Sequence, residues 1–192
     1  PARYAFAIWT PIYAGCLGYA IYQAFPSDAN RALLRRAGWW TACAFAATSA
    51  WLIAAQRVER IWLTVALLGA IVSSLTMAAH VLSSEKALSR MDEYLIALPI
   101  DLFFGWTSVA LFANTAAALR YAGVTSAGHE TFASLVMLAL ATVGTGGVIV
   151  TLQRSAAYVG AVLWALVSIA VANGSGETRP PNLTVSLAAA AS

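Results

Sequence analysis

Charged residues are scarce in this 192-residue chain: only 10% of its positions are Asp, Glu, Lys or Arg, while 60% are hydrophobic. A soluble domain has about 25% charged and about 45–50% apolar residues, so this chain has too little charge to cover a surface that faces water. The same composition excludes a disordered chain, a collagen, a coiled coil and a small disulfide-rich domain. The class that remains is a polytopic membrane protein.

Side chains for covalent or metal chemistry are also few. The two cysteines, Cys16 and Cys43, lie in apolar runs and form no Cys-x-x-Cys pair, and the two histidines are not at metal-ligand spacing. Lys86 is the only lysine and lies in a loop, which excludes a retinal Schiff base within a helix. No hydrolase, metalloprotease, phosphate-loop or dinucleotide motif is present. We therefore expect neither a metal site nor a covalently bound cofactor.

Long uncharged runs recur along the chain. About 20 apolar residues in a helix cross a hydrocarbon core about 30 Å thick, and these runs do not alternate as the strands of a membrane barrel do. The sequence therefore predicts an all-α integral membrane protein, a bundle of about six transmembrane helices. The predicted spans are residues 4–27, 37–56, 61–84, 94–119, 131–153 and 155–176.

The basic residues form no strong patch. The net charge is +3, and the densest basic stretch is Arg31, Arg35 and Arg36, which is smaller than the cluster of about four to eight that predicts specific lipid binding. We expect contact with membrane lipids and no nucleic-acid partner. The two sides of the predicted bundle carry five and six Lys or Arg residues, so the charge bias of the loops leaves the orientation open.

Asp101 is the one carboxylate inside an apolar run. An acid within a membrane is a functional-site hypothesis, because a charge there costs at least about 2.5–3.5 kcal/mol. Pro99 can instead stand in the first turn of the spanning helix, which puts Asp101 near the positive end of the helix dipole. Both interpretations stay open: an anchor at the helix start, or a buried polar site that handles protons.

Tryptophan is abundant, with seven residues. Those at span edges suit the aromatic belt at the membrane interface, but Trp9, Trp51 and Trp106 lie deeper, and the flat face of an indole suits a planar apolar ligand. Trp106, Ala110 and Asn114 recur every four residues, so they share one face of a helix. Asp101 does not share that face, because it lies roughly 220° around the helix from Asn114.

Two motifs resemble the translocator protein / tryptophan-rich sensory protein (TspO/MBR) family. Residues 6–13, FAIWTPIY, resemble the opening of one helix of that family, and residues 98–114, LPIDLFFGWTSVALFAN, resemble its last helix, with the Trp-to-Asn distance of eight kept. Trp51 falls where the intervening helix of the family carries a tryptophan. The resemblance covers about residues 3–122.

The resemblance implies a division of the chain. Residues 1–122 are expected to form a four-helix portion of the TspO/MBR core, residues 123–176 two additional transmembrane helices, and residues 177–192 a C-terminal tail. It also implies a receptor-like protein that binds a tetrapyrrole such as a porphyrin, or another flat lipid, as its non-covalent ligand. The residues that it implies for the pocket are Trp9, Tyr13, Trp51, Trp106, Ala110 and Asn114.

Three functions follow from these features. The first is a tetrapyrrole-binding membrane sensor, which is not an enzyme. The second is an accessory subunit of a larger membrane or pigment complex, because the last two helices carry small residues that pack well against other helices. The third is a small proton-coupled transporter that uses Asp101. We expect a bacterial inner-membrane protein that forms a homodimer or joins a membrane-protein complex.

Overall fold

The computed structural model describes residues 3–27, 30–85, 87–124, 130–152, 155–174, 185 and 189–190. These residues contain six long helices and no strand, which confirms the predicted all-α bundle. Of the expected tail, 177–192, all but three residues lie outside the described part. The helices are α1 (Trp9–Ala24), α2 (Arg31–Ala54), α3 (Ile61–Ser83), α4 (Leu98–Tyr121), α5 (Glu130–Leu152) and α6 (Ala156–Gly174).

Five helical segments among the described residues are long and apolar enough to cross a membrane. They are Tyr4–Ala24, Ile61–Ser83, Arg90–Tyr121, Phe132–Leu152 and Ala156–Asn173. The predicted span 37–56 forms most of α2, which has 24 residues and is long enough to cross. It is less apolar than the other five, because arginines occupy its first turns and alanine, threonine and serine much of the rest.

Prolines lie near both ends of the first helix. Residues Arg3–Ile8 form a 3₁₀-helix, and α1 follows with Pro11 in its first turn, where a missing N–H breaks no helical hydrogen bond. The chain changes from 3₁₀ to α geometry two residues before this proline. At the other end, Pro26 disfavours helical geometry for the residue before it, and Phe25 has left the helix with φ −123° and ψ 61°.

A wider helical turn precedes Pro99 at the start of α4. The Ser89 Oγ accepts a hydrogen bond from the Asp92 N–H at 3.1 Å and caps the segment. Residues Arg90–Asp92 form an α turn, and Glu93–Ala97 form a π turn that runs directly into α4. The proline ring crowds the carbonyl four residues earlier and offers no N–H to it, so the π turn includes Leu95, the residue whose carbonyl loses its regular helical partner.

Helix α4 is the centre of the bundle. Of the apolar part of its segment, 67% is buried, whereas no other candidate span exceeds 39%. It packs against α1, α3, α5 and α6, and α2 packs on α3. Its backbone approaches α6 closely at Gly105, where an added Cβ would overlap the Tyr158 carbonyl oxygen and lie 2.9 Å from the Ala161 Cβ. The side chains of α4 therefore reach most parts of the interior.

Candidate functional site

Three indole rings from three different helices meet beside α4. The Trp9 ring centroid lies 6.3 Å from that of Trp51, with the two planes inclined by 29°. It also lies 6.3 Å from that of Trp106, with the planes at 81°. Trp106 is buried, and Trp9 and Trp51 are half-buried. The structure thus brings together the three deep tryptophans that the sequence singles out.

The indoles border a cavity of about 440 Å³. Five of the six expected pocket residues line it, namely Trp9, Trp51, Trp106, Ala110 and Asn114. Helix α4 adds Val109, Ala113, Ala117 and Arg120. The other lining residues are Phe6 before α1, Leu68 on α3, and Ala165 and Ile169 on α6. Because four of the lining side chains are single methyl groups, they leave unfilled the space that the large rings border.

Tyr13, the sixth expected residue, lies beside the cavity and not among its lining residues. Its ring stacks on Trp9 with centroids 5.2 Å apart and planes inclined by 22°. The side chain is 47% exposed, so it covers Trp9 from the outer surface of the bundle. Tyr13 can therefore orient the Trp9 indole without touching a molecule in the cavity.

Two polar groups of the lining have different surroundings. The Asn114 Nδ2 donates a hydrogen bond to the Thr64 Oγ1 of α3 at 2.8 Å, which holds the amide at the edge of the cavity. The Trp51 Nε1 is buried and has no hydrogen-bond partner among the described residues. A buried donor without a partner costs about 1–3 kcal/mol, so this N–H would gain from an acceptor that enters the site.

The buried acid of α4 lies away from the cavity. Asp101 is 1% exposed and lies in the first turn of the helix, where the Ser155 Oγ donates a hydrogen bond to its Oδ2 at 2.5 Å. Because Ser155 directly precedes α6, this bond joins the starts of two helices. Because the π turn runs directly into α4, Asp101 lies within the continuous helical segment Arg90–Tyr121 and connects it to the start of α6. In the described part of the chain, no group of three or more His, Cys, Asp or Glu side chains could hold a metal ion.

Sequence reasoning missed eight of the thirteen lining residues, although the sequence contains a signal for some of them. The series Trp106, Ala110, Asn114 continues on the same helix face to Ala117 and Arg120 at helical spacing. No comparable signal existed for Ala165 and Ile169, because their helix lies outside residues 3–122, the part of the chain that the resemblance covers. Their place in the lining depends on how α6 packs against α4.

A comparison with known families gives a match over the whole chain. The family described as TSPO-like protein matches residues 1–192, so the match includes α5 and α6. No curated protein matches the chain, and no solved structure does. The family match and the five apolar helices together make this an integral membrane protein of the sensor or receptor type, in contact with lipid. The chain belongs to the TSPO-like protein family.

Proposed function

We propose that this protein is a membrane sensor that binds a tetrapyrrole or a similarly flat, apolar ligand in the cavity beside α4, and that it does not catalyse a reaction on it. The observation that carries the proposal is the meeting of three indoles at a cavity of about 440 Å³. Small-molecule sites are typically concave spaces of about 300–1,000 Å³ with mostly apolar and aromatic linings and a few polar groups. This lining has that composition.

The aromatic geometry suits a planar ligand. Indole faces attract other π systems at centroid distances of about 4.5–7 Å, in offset-stacked or edge-to-face arrangements. Trp9 and Trp51 are half-buried, so part of each ring surface can contact a guest. The Trp51 Nε1, which has no partner among the described residues, supports a ligand that carries a hydrogen-bond acceptor, such as a ring nitrogen or an edge oxygen.

The setting of this proposal is the inner membrane of a bacterium, where helical bundles and not barrels are the usual spanning architecture. A porphyrin partitions into such a membrane and can reach the cavity from the lipid. The protein would then act alone, as a homodimer or within a membrane-protein complex. Its mass in mild detergent distinguishes these assemblies.

The other two hypotheses depend on other parts of the molecule. A proton-coupled transporter would use Asp101, whose side chain joins α4 to the start of α6 and does not belong to the described cavity lining. An accessory subunit would dock through apolar side chains such as Val143 and Val150 of α5, which are 74% and 78% exposed. Contact with lipid explains those exposed side chains equally well.

The experiment is a titration of the purified protein in nanodiscs with protoporphyrin, followed by the shift of the porphyrin absorption band. Trp51→Phe removes the indole N–H and part of the stacking surface, and Ala110→Leu fills the cavity with a larger side chain. We expect Trp51→Phe to weaken binding at least about tenfold, because a stacked aromatic contact and a buried hydrogen bond each contribute about 1 kcal/mol or more. We expect at least the same loss for Ala110→Leu, because the larger side chain occupies the space of the ligand.

Trp39→Phe is the matched control, because Trp39 also lies on α2 but is 78% exposed and does not line the cavity. Its affinity should equal that of the unmodified protein. If Ala110→Leu and Trp51→Phe bind porphyrin as tightly as the control does, the proposed site is wrong.

A further inference from the structure

The side chains that α4 contributes to the cavity change from aromatic to small and then to charged along the helix. Trp106 is at one end, Ala110, Ala113 and Ala117 follow, and Arg120 is at the other end. Successive positions are three or four residues apart, so they form one stripe along the helix. An aromatic surface is thus followed by three alanine methyl groups and then by a permanent positive charge. Among the described lining residues, Arg120 is the only charged one.

The dimensions of the stripe suit an elongated, flat molecule. At a rise of about 1.5 Å per residue, the Cα atoms of Trp106 and Arg120 are about 21 Å apart, and those of Asn114 and Arg120 about 9 Å apart. The Cα–Cβ bond of a helical residue tilts toward the N-terminus, so the arginine stem starts in the direction of Asn114. A planar ring system that extends from the indoles past Asn114 can therefore reach the guanidinium with a side arm at its far edge.

The position of Arg120 favours an anion. It lies in the last turn of α4, at the end of an apolar span, where the cationic head can meet water while the stem stays in the apolar region. Arg120 already interacts with another group of the protein. A guanidinium has five N–H donors, so it can serve an internal partner and a ligand carboxylate at the same time.

We infer that Arg120 anchors an acidic group of the ligand, so that the site selects flat amphiphiles with a carboxylate at one edge over neutral molecules of the same shape. This inference rests on the proposed function, since it concerns the same cavity. The indoles hold the apolar body, and the carboxylate accepts charge-assisted hydrogen bonds from the guanidinium. A neutral ligand binds through the body alone.

The test compares protoporphyrin, which carries two carboxylic acids, with its dimethyl ester, which has the same ring and no charge. Both are titrated into nanodiscs that contain the unmodified protein, Arg120→Gln or Arg120→Lys. The readout is the ratio of the acid affinity to the ester affinity, compared between variants, so that the different partitioning of the two molecules into lipid cancels. We expect Arg120→Gln to lower this ratio about tenfold, as loss of a hydrogen bond to a charged group predicts.

Arg120→Lys should recover part of the ratio, because it keeps the charge and loses the paired donors. Arg57→Gln is the matched control, since Arg57 is an exposed arginine at the same end of the bundle and does not line the cavity. Ester binding should be unchanged in Arg120→Gln, which also shows that the variant is folded.

The two proposals fail in different ways. If Arg120→Gln keeps the acid-to-ester ratio of the unmodified protein while Ala110→Leu weakens both ligands, the anchoring role is overturned and the cavity stands as the binding site. If neither ligand responds to Ala110→Leu or Trp51→Phe, the cavity is not the binding site and the inference falls with the proposed function.

Discussion

At the scale of the residue, Asn114 shows how a polar side chain is placed in an apolar bundle. Its Nδ2 donates to the Thr64 Oγ1 at 2.8 Å, and that hydroxyl in turn donates to the Ile61 carbonyl oxygen at 2.7 Å. The two bonds connect α4 to the first turn of α3 beside the cavity. A polar group that is paired in this way costs little in an apolar environment and fixes the rotation of one helix against the other.

Asn114→Ala should lower the free energy of unfolding by about 1 kcal/mol, because it removes one interhelical hydrogen bond of a partly buried pair. Thr64→Val removes the same bond from the other side. Chemical denaturation of both single variants and the double variant in detergent measures the coupling. We expect the double variant to lose less than the sum of the two single losses; additive losses would mean that the bond contributes nothing.

At the scale of the element, the contact between α4 and α6 decides the shape of the bundle. Gly105 lets the two backbones approach so closely that a methyl group has no room between α4 and the Tyr158 carbonyl oxygen. The Ser155–Asp101 hydrogen bond lies one helical turn away on the same side of α4. Small residues at close helix contacts are the usual basis of packing in membranes. This contact positions Ala165 and Ile169 at the cavity.

Gly105→Ala should therefore force α6 away from α4, since the obstacle is backbone and cannot rotate aside. Overpacking of this kind costs about 1–3 kcal/mol, and we expect a clearly lower thermal unfolding temperature together with weaker porphyrin binding. Gly69→Ala on α3 is the control: a Cβ there meets nothing within 4 Å, and alanine is the better helix former by about 0.5–1 kcal/mol. Equal stability of the two variants would contradict the close contact.

At the scale of the whole molecule, the cavity and a buried polar cluster occupy opposite ends of the bundle. The Asp92 Oδ1 accepts hydrogen bonds from the Tyr22 hydroxyl and the Asn30 Nδ2, both at 3.1 Å. Its Oδ2 accepts one from the Ser89 Oγ at 2.6 Å. The carboxylate thereby joins the end of α1, the start of α2 and the segment that leads into α4. The cavity lies toward the start of α1 and the last turns of α4.

Asp92→Ala should therefore lower the stability of the protein without changing its affinity for porphyrin. It removes the acceptor of the Tyr22 hydroxyl and one of the two acceptors of the Asn30 Nδ2, which keeps only the Tyr22 Oη at 2.9 Å. We expect a loss of about 1–3 kcal/mol in the free energy of unfolding, with porphyrin affinity unchanged within about twofold. Glu93→Gln is the control, because Glu93 is the exposed neighbour of Asp92. Thermal unfolding and the porphyrin titration are run on the same samples. A large loss of affinity in Asp92→Ala would mean that the two ends are coupled.

Much of the architecture could be predicted from the chain alone, for a physical reason. In hydrocarbon every backbone N–H and C=O must be satisfied within the protein, so long uncharged runs form helices. Helical periodicity then put Trp106, Ala110 and Asn114 on one face, and the structure has them in one cavity lining. It also put Asp101 on another face, where it bonds to Ser155.

Tertiary structure alone decided the rest, because the relative rotation and distance of helices depend on contacts between residues far apart in the chain. The close contact of Gly105 with Tyr158 brings α6 to the cavity, and no local sequence pattern predicts this contact. Stacking on the outer side of Trp9 takes Tyr13 out of the lining. Arg120 is an ordinary helix-end arginine in the sequence, and it acquires a candidate role only because a cavity extends to the last turn of α4.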